Sequence, residues 1–178
     1  MGKFTDNDRA RLDELISRYP TKKAALLPAL WVAQEVYGGW LPPEAMEEVA
    51  VHLELPTADV QGVATFYTMY NKEPRGQHAI EICHNVSCMV LGAEQLIQHC
   101  ERKLGVSATG GTTPDGVFTL ARVECLGACC NAPAVQVGGT YYENVSFDQM
   151  DALIEKLKSA PSEVMSPPQA AMPEMREF

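Results

Sequence analysis

The sequence predicts an α+β protein in which an N-terminal helical bundle, residues 1–75, precedes an α/β domain, residues 76–158. Apolar residues recur at helical spacing up to about residue 72, which is typical of helices that pack through one face. The segment NKEPRGQ then interrupts this pattern with charge, proline and glycine, and it predicts a domain boundary. Strand-like and helix-like stretches alternate beyond it. Residues 159–178 form a proline-rich C-terminal tail, expected to be flexible unless a partner orders it.

The N-terminal region begins with two predicted helices. Thr5 and Asp8 match a capping box that starts the first helix, and Pro20 should end it. In the second helix, Pro28 should start a new turn or kink the helix before a Gly-Gly pair ends it. The expected core residues of both helices are apolar and lie at helical spacing: Leu12, Leu15, Ile16, Tyr19, Leu26, Leu27, Leu30, Trp31 and Val32.

Two further helices are predicted before the boundary. Pro42 and Pro43 suit a helix start, because the first turn leaves N–H groups without partners in any case. Thr57 is expected to cap the next helix through its hydroxyl. The residues expected to face inward are Met46, Val49, Ala50, Leu53, Val60, Val63 and Phe66.

The second region predicts strand, helix, strand, hairpin and helix in that order. HAIEIC is a predicted strand, residues 91–104 a helix that Gly105 ends, residues 107–116 a loop, and VFTLARVEC a strand. AVQV and TYYENV predict a hairpin with a primed turn at a Gly-Gly pair, and SFDQ matches a capping box before the last helix. The apolar faces of the two helices carry Leu96, Ile97, Cys100, Leu104, Phe147, Met150, Leu153, Ile154 and Leu157.

Two cysteine pairs are the candidate chemical site. Cys83 and Cys88 lie in EICHNVSCMVLG with four residues between them. Cys125 and Cys129 lie in RVECLGACCNAPAV with three residues between them. Each pair can present two thiolates from one loop, and the joining segment is long enough for a helix and a strand that return the second loop to the first. The pattern predicts a cage of four thiolates for a metal ion or a cluster.

Spacing leaves more than one occupant open. Four thiolates suit tetrahedral zinc, and they also suit an iron-sulfur cluster. The gap in the first pair matches the first gap of plant-type ferredoxins, which favours a [2Fe-2S] cluster, whereas the later gaps differ from that pattern. Buried unpaired thiols are a third interpretation, which the small and turn-forming residues beside each pair disfavour.

Three runs, GVATFYTMY, ICHNVSCMVLGAEQL and VECLGACCNAPAVQV, resemble the thioredoxin-like [2Fe-2S] subunit of the NADH-oxidising module of respiratory complex I. The resemblance covers nearly the whole chain. It implies a thioredoxin-like fold for the second domain, which agrees with the predicted order of elements. It also implies the iron ligands of one [2Fe-2S] cluster, which are Cys83, Cys88, Cys125 and Cys129. Cys130 departs from the family pattern, where an apolar residue is expected.

The resemblance implies an electron-transfer subunit of NADH:quinone oxidoreductase, an enzyme complex in which the isolated chain has no substrate site of its own. FMN and NADH are expected on a partner subunit, with further complex I subunits beyond it. No dinucleotide fingerprint or Walker motif stands out in the chain, in keeping with that expectation. Two alternatives remain open: the equivalent diaphorase subunit of an NAD-linked hydrogenase or formate dehydrogenase, and a structural zinc module that only mediates assembly.

Composition restricts the partners and the location. The formal net charge of −9 argues against nucleic acid and anionic membrane surfaces, because both would repel the chain. No apolar run approaches the roughly 20 residues that span a bilayer, so direct membrane insertion is not expected. MGKFTDND has neither a signal nor a transit pattern. We expect a cytoplasmic protein, peripheral at the cytoplasmic side of the inner membrane through its complex.

Two other side chains are expected to play no ligand role. His84 follows Cys83 directly, but four cysteines already complete the cage, so His84 is expected to be a loop residue or to lie outside the ligand shell. Cys100 lies on a predicted apolar helix face and is expected in the core.

Overall fold

The computed structural model describes residues 2–160. Residues 161–178, most of the predicted tail, lie outside the described residues. The chain divides into two compact units, one ending at Pro74 and the other beginning at Arg75. We refer to residues 2–74 as the helical unit and to residues 75–160 as the sheet unit. Among the described residues, no helix is both long enough and apolar enough to cross a bilayer. The domain limits of the sequence analysis stay a prediction.

The helical unit begins at the predicted capping box, in which Thr5 and Asp8 bond each other's backbone N–H. Pro28 falls in the first turn of the second helix, where a missing N–H costs little, so it starts that helix and does not kink it. A 3-10 turn at Lys22–Ala25 precedes this helix. The helices are α1 (Asp6–Ser17), α2 (Leu26–Val36), α3 (Pro43–Leu53) and α4 (Thr57–Phe66).

Two predictions for α4 are wrong. Pro56 occupies the N-cap position in place of Thr57, which lies inside the helix, and no side chain caps this end. Phe66 was expected to face inward, yet it is 77% exposed. The reason is rotational: six positions after the buried Val60, Phe66 lies roughly 120° around the helix from it, given 3.6 residues per turn. Ala64, four positions after Val60, takes the buried place.

The other predicted core positions of the helical unit are confirmed. The fully packed ones include Leu12, Leu26, Leu30, Trp31, Val32, Met46, Val49, Ala50, Leu53 and Val60. Five more are partly exposed and pack against this core: Leu15, Ile16, Tyr19, Leu27 and Val63. Helical spacing thus identified the inward faces of the helices more reliably than their ends.

The sheet unit contains a five-stranded sheet in the order β2-β3-β1-β4-β5. Its strands are β1 (His78–Cys83), β2 (Thr109–Thr112), β3 (Phe118–Val123), β4 (Val135–Val137) and β5 (Thr140–Tyr142). Its helices are α5 (Val86–Val90), α6 (Ala93–Leu104) and α7 (Phe147–Lys158). β1 pairs with β3 in parallel, and the remaining pairs are antiparallel. The α+β class is therefore confirmed.

Two boundaries in the sheet unit differ from the prediction. The predicted loop 107–116 contains β2, which pairs with β3; its sequence TGGT has little side-chain preference for a strand, so only backbone pairing identifies it. The predicted helix 91–104 begins later, at Ala93. Gly92 precedes it with φ of 96°, a left-handed conformation that glycine adopts without strain, and this residue separates α5 from α6.

The remaining predicted features of the sheet unit are present. Gly105 ends α6 with φ of 69°, and Ser146 forms the predicted capping box at the start of α7. Gly138, with φ of 56°, turns the hairpin between β4 and β5. The core holds Leu96, Ile97, Cys100, Met150, Leu153, Ile154 and Leu157, as expected, whereas Leu104 is partly buried and Phe147 is 47% exposed.

Candidate metal centre

The two cysteine loops leave the same edge of the sheet. Cys83 is the last residue of β1, and in the parallel register it lies opposite Val123, the last residue of β3. The N–H of His84 donates a hydrogen bond to the carbonyl of Val123 at 3.1 Å, which keeps the chains together just past the strand ends. Carboxyl ends of adjacent parallel strands commonly build sites for this reason. Cys125 therefore begins its loop beside the loop that Cys83 begins.

The first pair is buried. Cys83 and Cys88 are each 2% exposed, and their thiols are hydrogen-bonded to each other. Burial raises the pKa of the Cys88 thiol, and the neighbouring Cys83 and Cys129 raise it further, while a hydrogen bond from the backbone N–H of Ala134 lowers it. This loop thus already supplies one N–H group directed at a ligand sulfur.

The second pair is exposed. The sulfur atoms of Cys125 and Cys129 are 3.6 Å apart. The N–H of Gly127 donates to the Cys125 sulfur at 3.4 Å, in a turn where Gly127 has φ of 78°. The hydrogen bond and the negative charge of Cys125 raise the pKa of Cys129, and the Ser87 hydroxyl, which donates to the Cys129 sulfur, lowers it.

The structure brings the four predicted cysteines together. Ser87 reaches Cys129 from the other loop, and the charges of Cys83 and Cys129 act across the two loops. The crowding of thiols disfavours thiolates in the absence of a cation, and bound metal reverses that preference because a coordinating thiol is deprotonated. The donor set, four sulfurs with backbone and hydroxyl donors around them, is the one that iron-sulfur clusters use.

The arrangement is pairwise. Within residues 2–160, no three His, Cys, Asp or Glu side chains surround a position for a single metal ion. A structural zinc ion needs all four ligands around one centre, whereas four cysteines serve both irons of a binuclear cluster, about two for each. The cysteine cage therefore fits a [2Fe-2S] cluster better than a single zinc ion.

The residues directly beside the four cysteines are partly or fully accessible. His84 is partly buried and lies 3.5 Å from a carboxylate oxygen of Glu124. Cys130 is exposed in the 3-10 turn Cys129–Asn131. Cys100, by contrast, is fully buried in the sheet-unit core, where burial raises its pKa to about 12, as the core prediction requires. Sequence reasoning missed Glu124, although an acidic residue directly before a ligand at a strand end was a signal available to it.

An apolar surface borders the cage. Four residues on and just after α5 are exposed although they are apolar: Val86 at 70%, Met89 at 53%, Val90 at 75% and Leu91 at 57%. Together with Ser87 and Cys129, three of them line a depression of about 380 Å³. No charged residue lies between His84 and Glu94. Soluble monomers rarely expose contiguous apolar surface of this kind beside a functional group. We name it the α5 surface, residues 86–91.

Comparisons with known proteins agree with this geometry. The model of the thioredoxin-like [2Fe-2S] ferredoxin family matches residues 12–158. An NADH-quinone oxidoreductase subunit of Rhizobium meliloti (strain 1021) is 45% identical over 152 residues, 85% of this chain and 89% of that protein. An NADH-quinone oxidoreductase subunit of Rickettsia conorii (strain ATCC VR-613 / Malish 7), which bears the same subunit letter, is 44% identical over 149 residues, covering 83% and 89%.

A solved structure supports the fold. A chain of an NAD+-reducing [NiFe]-hydrogenase, in its H2-reduced crystal structure, aligns with a TM-score of 0.64 at 23% sequence identity. The alignment covers 78% of this chain and 25% of the hydrogenase chain, so the present protein spans about a quarter of that chain's length. At this identity the likeness is evidence of a shared fold.

Proposed function

The chain belongs to the thioredoxin-like [2Fe-2S] ferredoxin family, and on that premise we propose that it is the electron-transfer subunit of an NADH:quinone oxidoreductase. The relatives at 45% and 44% identity, which carry that name and match most of their own length, support the proposal. The hydrogenase likeness, at 23% identity, supports only the shared fold, and it leaves the hydrogenase or formate dehydrogenase alternative behind the quinone-linked function.

The observation that carries the proposal is the meeting of two cysteine pairs at one sheet edge. The residues that would hold the [2Fe-2S] cluster are Cys83, Cys88, Cys125 and Cys129. When bound, the cluster supplies one-electron transfer. The chain's own contribution is to fix the sulfur atoms and to direct N–H groups at them: that of Ala134 at Cys88 and that of Gly127 at Cys125. Hydrogen bonds to ligand sulfurs stabilise negative charge and tune the reduction potential.

Metal content tests this proposal directly. Because four thiolates serve a binuclear cluster, protein purified under anaerobic conditions should be brown and contain about two irons and two acid-labile sulfides per chain. Elemental analysis and sulfide determination measure both quantities, and electron paramagnetic resonance of the dithionite-reduced protein should show the signal of a reduced binuclear cluster. A colourless protein with about one zinc and no sulfide would instead establish the structural zinc module.

The α5 surface supports a further part of the proposal, the partner. We assign it to the contact with an FMN- and NADH-binding subunit of the same complex, on the cytoplasmic side of the inner membrane. Electron transfer requires the partner's flavin to come close to the exposed side of the cage, and Cys129 lies in the same depression as Val86 and Val90. Apolar side chains at the centre of an interface exclude water and supply much of its affinity.

Replacing Val86 and Val90 together by serine should weaken binding to the flavin-bearing subunit by about tenfold or more, since two exposed apolar contacts are removed without adding charge. Iron and sulfide content should stay at the wild-type level. The measurements are the dissociation constant by titration calorimetry and the NADH-dependent bleaching of the cluster's visible absorption in the reconstituted pair.

The matched control is Val51→Ser on α3. Val51 is 78% exposed, as much as the two α5 residues, but it lies in the helical unit. The affinity of this variant for the partner should be unchanged. Equal weakening by both variants, or wild-type affinity in the α5 variant, would show that the α5 surface is not the contact.

A further inference from the structure

Each cysteine loop carries an asparagine two residues after a proposed ligand, Asn85 after Cys83 and Asn131 after Cys129. Both asparagines donate their side-chain amide to a glutamate on another segment. Asn85 Nδ2 lies 2.5 Å from Glu124 Oε2, and Asn131 Nδ2 lies 2.6 Å from an oxygen of Glu143. The second bond joins its loop to the end of the β-hairpin. The first bond joins the two cysteine loops to each other, because Glu124 immediately precedes Cys125.

Glu124 contacts the first loop at a second point. Its Oε1 atom lies 3.5 Å from Nε2 of His84, so one carboxylate faces both residues that follow Cys83. Behind it, the backbone bond from His84 to Val123 holds the strand ends in register. Beyond that bond, the Asn85–Glu124 pair is the side-chain hydrogen bond between the two loops nearest to the strand ends. The spacing between the first and second cysteine pairs is therefore set partly by Glu124.

We propose that Glu124 is a positioning residue for the cluster, which holds the two cysteine loops at the separation that the four thiolates require. The inference rests on the proposed [2Fe-2S] site. Outer residues that orient metal ligands typically affect metal affinity by about 10-fold to 100-fold when they are removed. The side chain of Glu124 is 83% exposed, so it contributes little to the stability of the fold as a whole. Its role is local to the cage.

The carboxylate should have a second effect, on reduction. A negative charge beside the cage opposes the addition of an electron, and removing it should raise the midpoint potential. The nearby cation Arg122 does not cancel this charge, because its guanidinium pairs with Glu94 at 2.7 Å. Since Glu124 is exposed, salt should screen the effect.

Two substitutions separate the effects. Glu124→Gln keeps an oxygen that accepts from Asn85 but removes the charge, so it should raise the midpoint potential at low ionic strength and leave the rate of cluster loss unchanged. Glu124→Ala removes both the acceptor and the charge, so it should also lose the cluster to a chelator about tenfold faster. Asn85→Ala should speed cluster loss to the same degree at an unchanged potential. The double variant Asn85→Ala, Glu124→Ala should be no faster than either single variant, because both remove one shared interaction.

The measurements are the bleaching of the visible absorption under a ferrous chelator and redox titration followed by electron paramagnetic resonance, at low and high salt. The control is Glu155→Gln on α7, whose side chain is 59% exposed and pairs with Lys158. It removes the same charge away from the loops and should change neither quantity. Wild-type rates of cluster loss in Glu124→Ala would overturn the positioning role. A wild-type chain without iron and sulfide would overturn the proposed function instead, so the two failures are distinguishable.

Discussion

Replacing Cys129 by alanine should abolish the cluster, reducing iron and labile sulfide from about two of each per chain to near zero. The substitution removes one of four thiolates and breaks the exposed pair, in which Cys125 and Cys129 are 3.6 Å apart. Cys125 alone would then have to hold its side of the cage. The measurement is iron and sulfide content per chain after anaerobic reconstitution, with circular dichroism to show that the fold persists.

Cys130 provides the matched control, because the same change is made one residue along the chain. In the 3-10 turn Cys129–Asn131, neighbouring side chains point about 120° apart, so Cys130 should not replace Cys129. Cys130→Ala should therefore keep the wild-type cluster, and the exposed position predicts little effect on stability. A full cluster in Cys129→Ala that disappears in the double variant would assign the ligand role to Cys130.

The candidate site could be predicted from the sequence because its strongest signals are local. The spacing from Cys83 to Cys88 and from Cys125 to Cys129 is visible without a fold, and the strand-helix-strand order between the pairs predicts parallel strands that end at one edge. What spacing does not contain is the environment of each thiol. Cys83 and Cys88 are buried while Cys125 and Cys129 are exposed, a difference that depends on how α5 packs against the sheet.

The features that sequence reasoning missed depend on register or on helix ends. Glu124 meets Asn85 only because β1 and β3 align Cys83 with Val123, and a shift of one residue would separate them. Phe66 lies at the end of α4, where helical period alone does not show that the helix turns the ring outward. β2 is a strand through backbone pairing rather than through the character of its side chains.

Replacing Tyr70 by alanine should destabilise the helical unit by about 3–5 kcal/mol, the usual cost of truncating a buried aromatic residue. Tyr70 is fully buried in that core. Its ring centroid lies 5.8 Å from that of Trp31 and 6.5 Å from that of Tyr67, and its hydroxyl donates to the carbonyl of Leu27 at 2.8 Å. Tyr70→Phe keeps the ring packing and loses only the hydrogen bond, so it should cost about 1 kcal/mol.

Burial also raises the pKa of Tyr70 above the ordinary tyrosine value. The neutral phenol is favoured in the folded state, so this contribution to stability is complete below the unfolded pKa of about 10 and is lost as pH rises through the folded pKa. The wild-type free energy of unfolding should therefore fall above about pH 10, and the fall should be smaller in Tyr70→Phe. Alkaline titration of stability distinguishes this from a general effect of charge, which both proteins share.

Urea denaturation with two optical probes measures these effects unit by unit. The two tryptophans of the chain, Trp31 and Trp40, both lie in the helical unit, so their fluorescence follows that unit. Visible absorption of the cluster follows the sheet unit. The fluorescence midpoint of Tyr70→Ala should drop well below that of the wild type while the absorption midpoint stays, as expected if residues 1–75 and 76–158 are separate domains. A fluorescence transition within about 1 kcal/mol of the wild type would contradict the role of Tyr70, and a parallel drop in both probes would contradict the domain boundary.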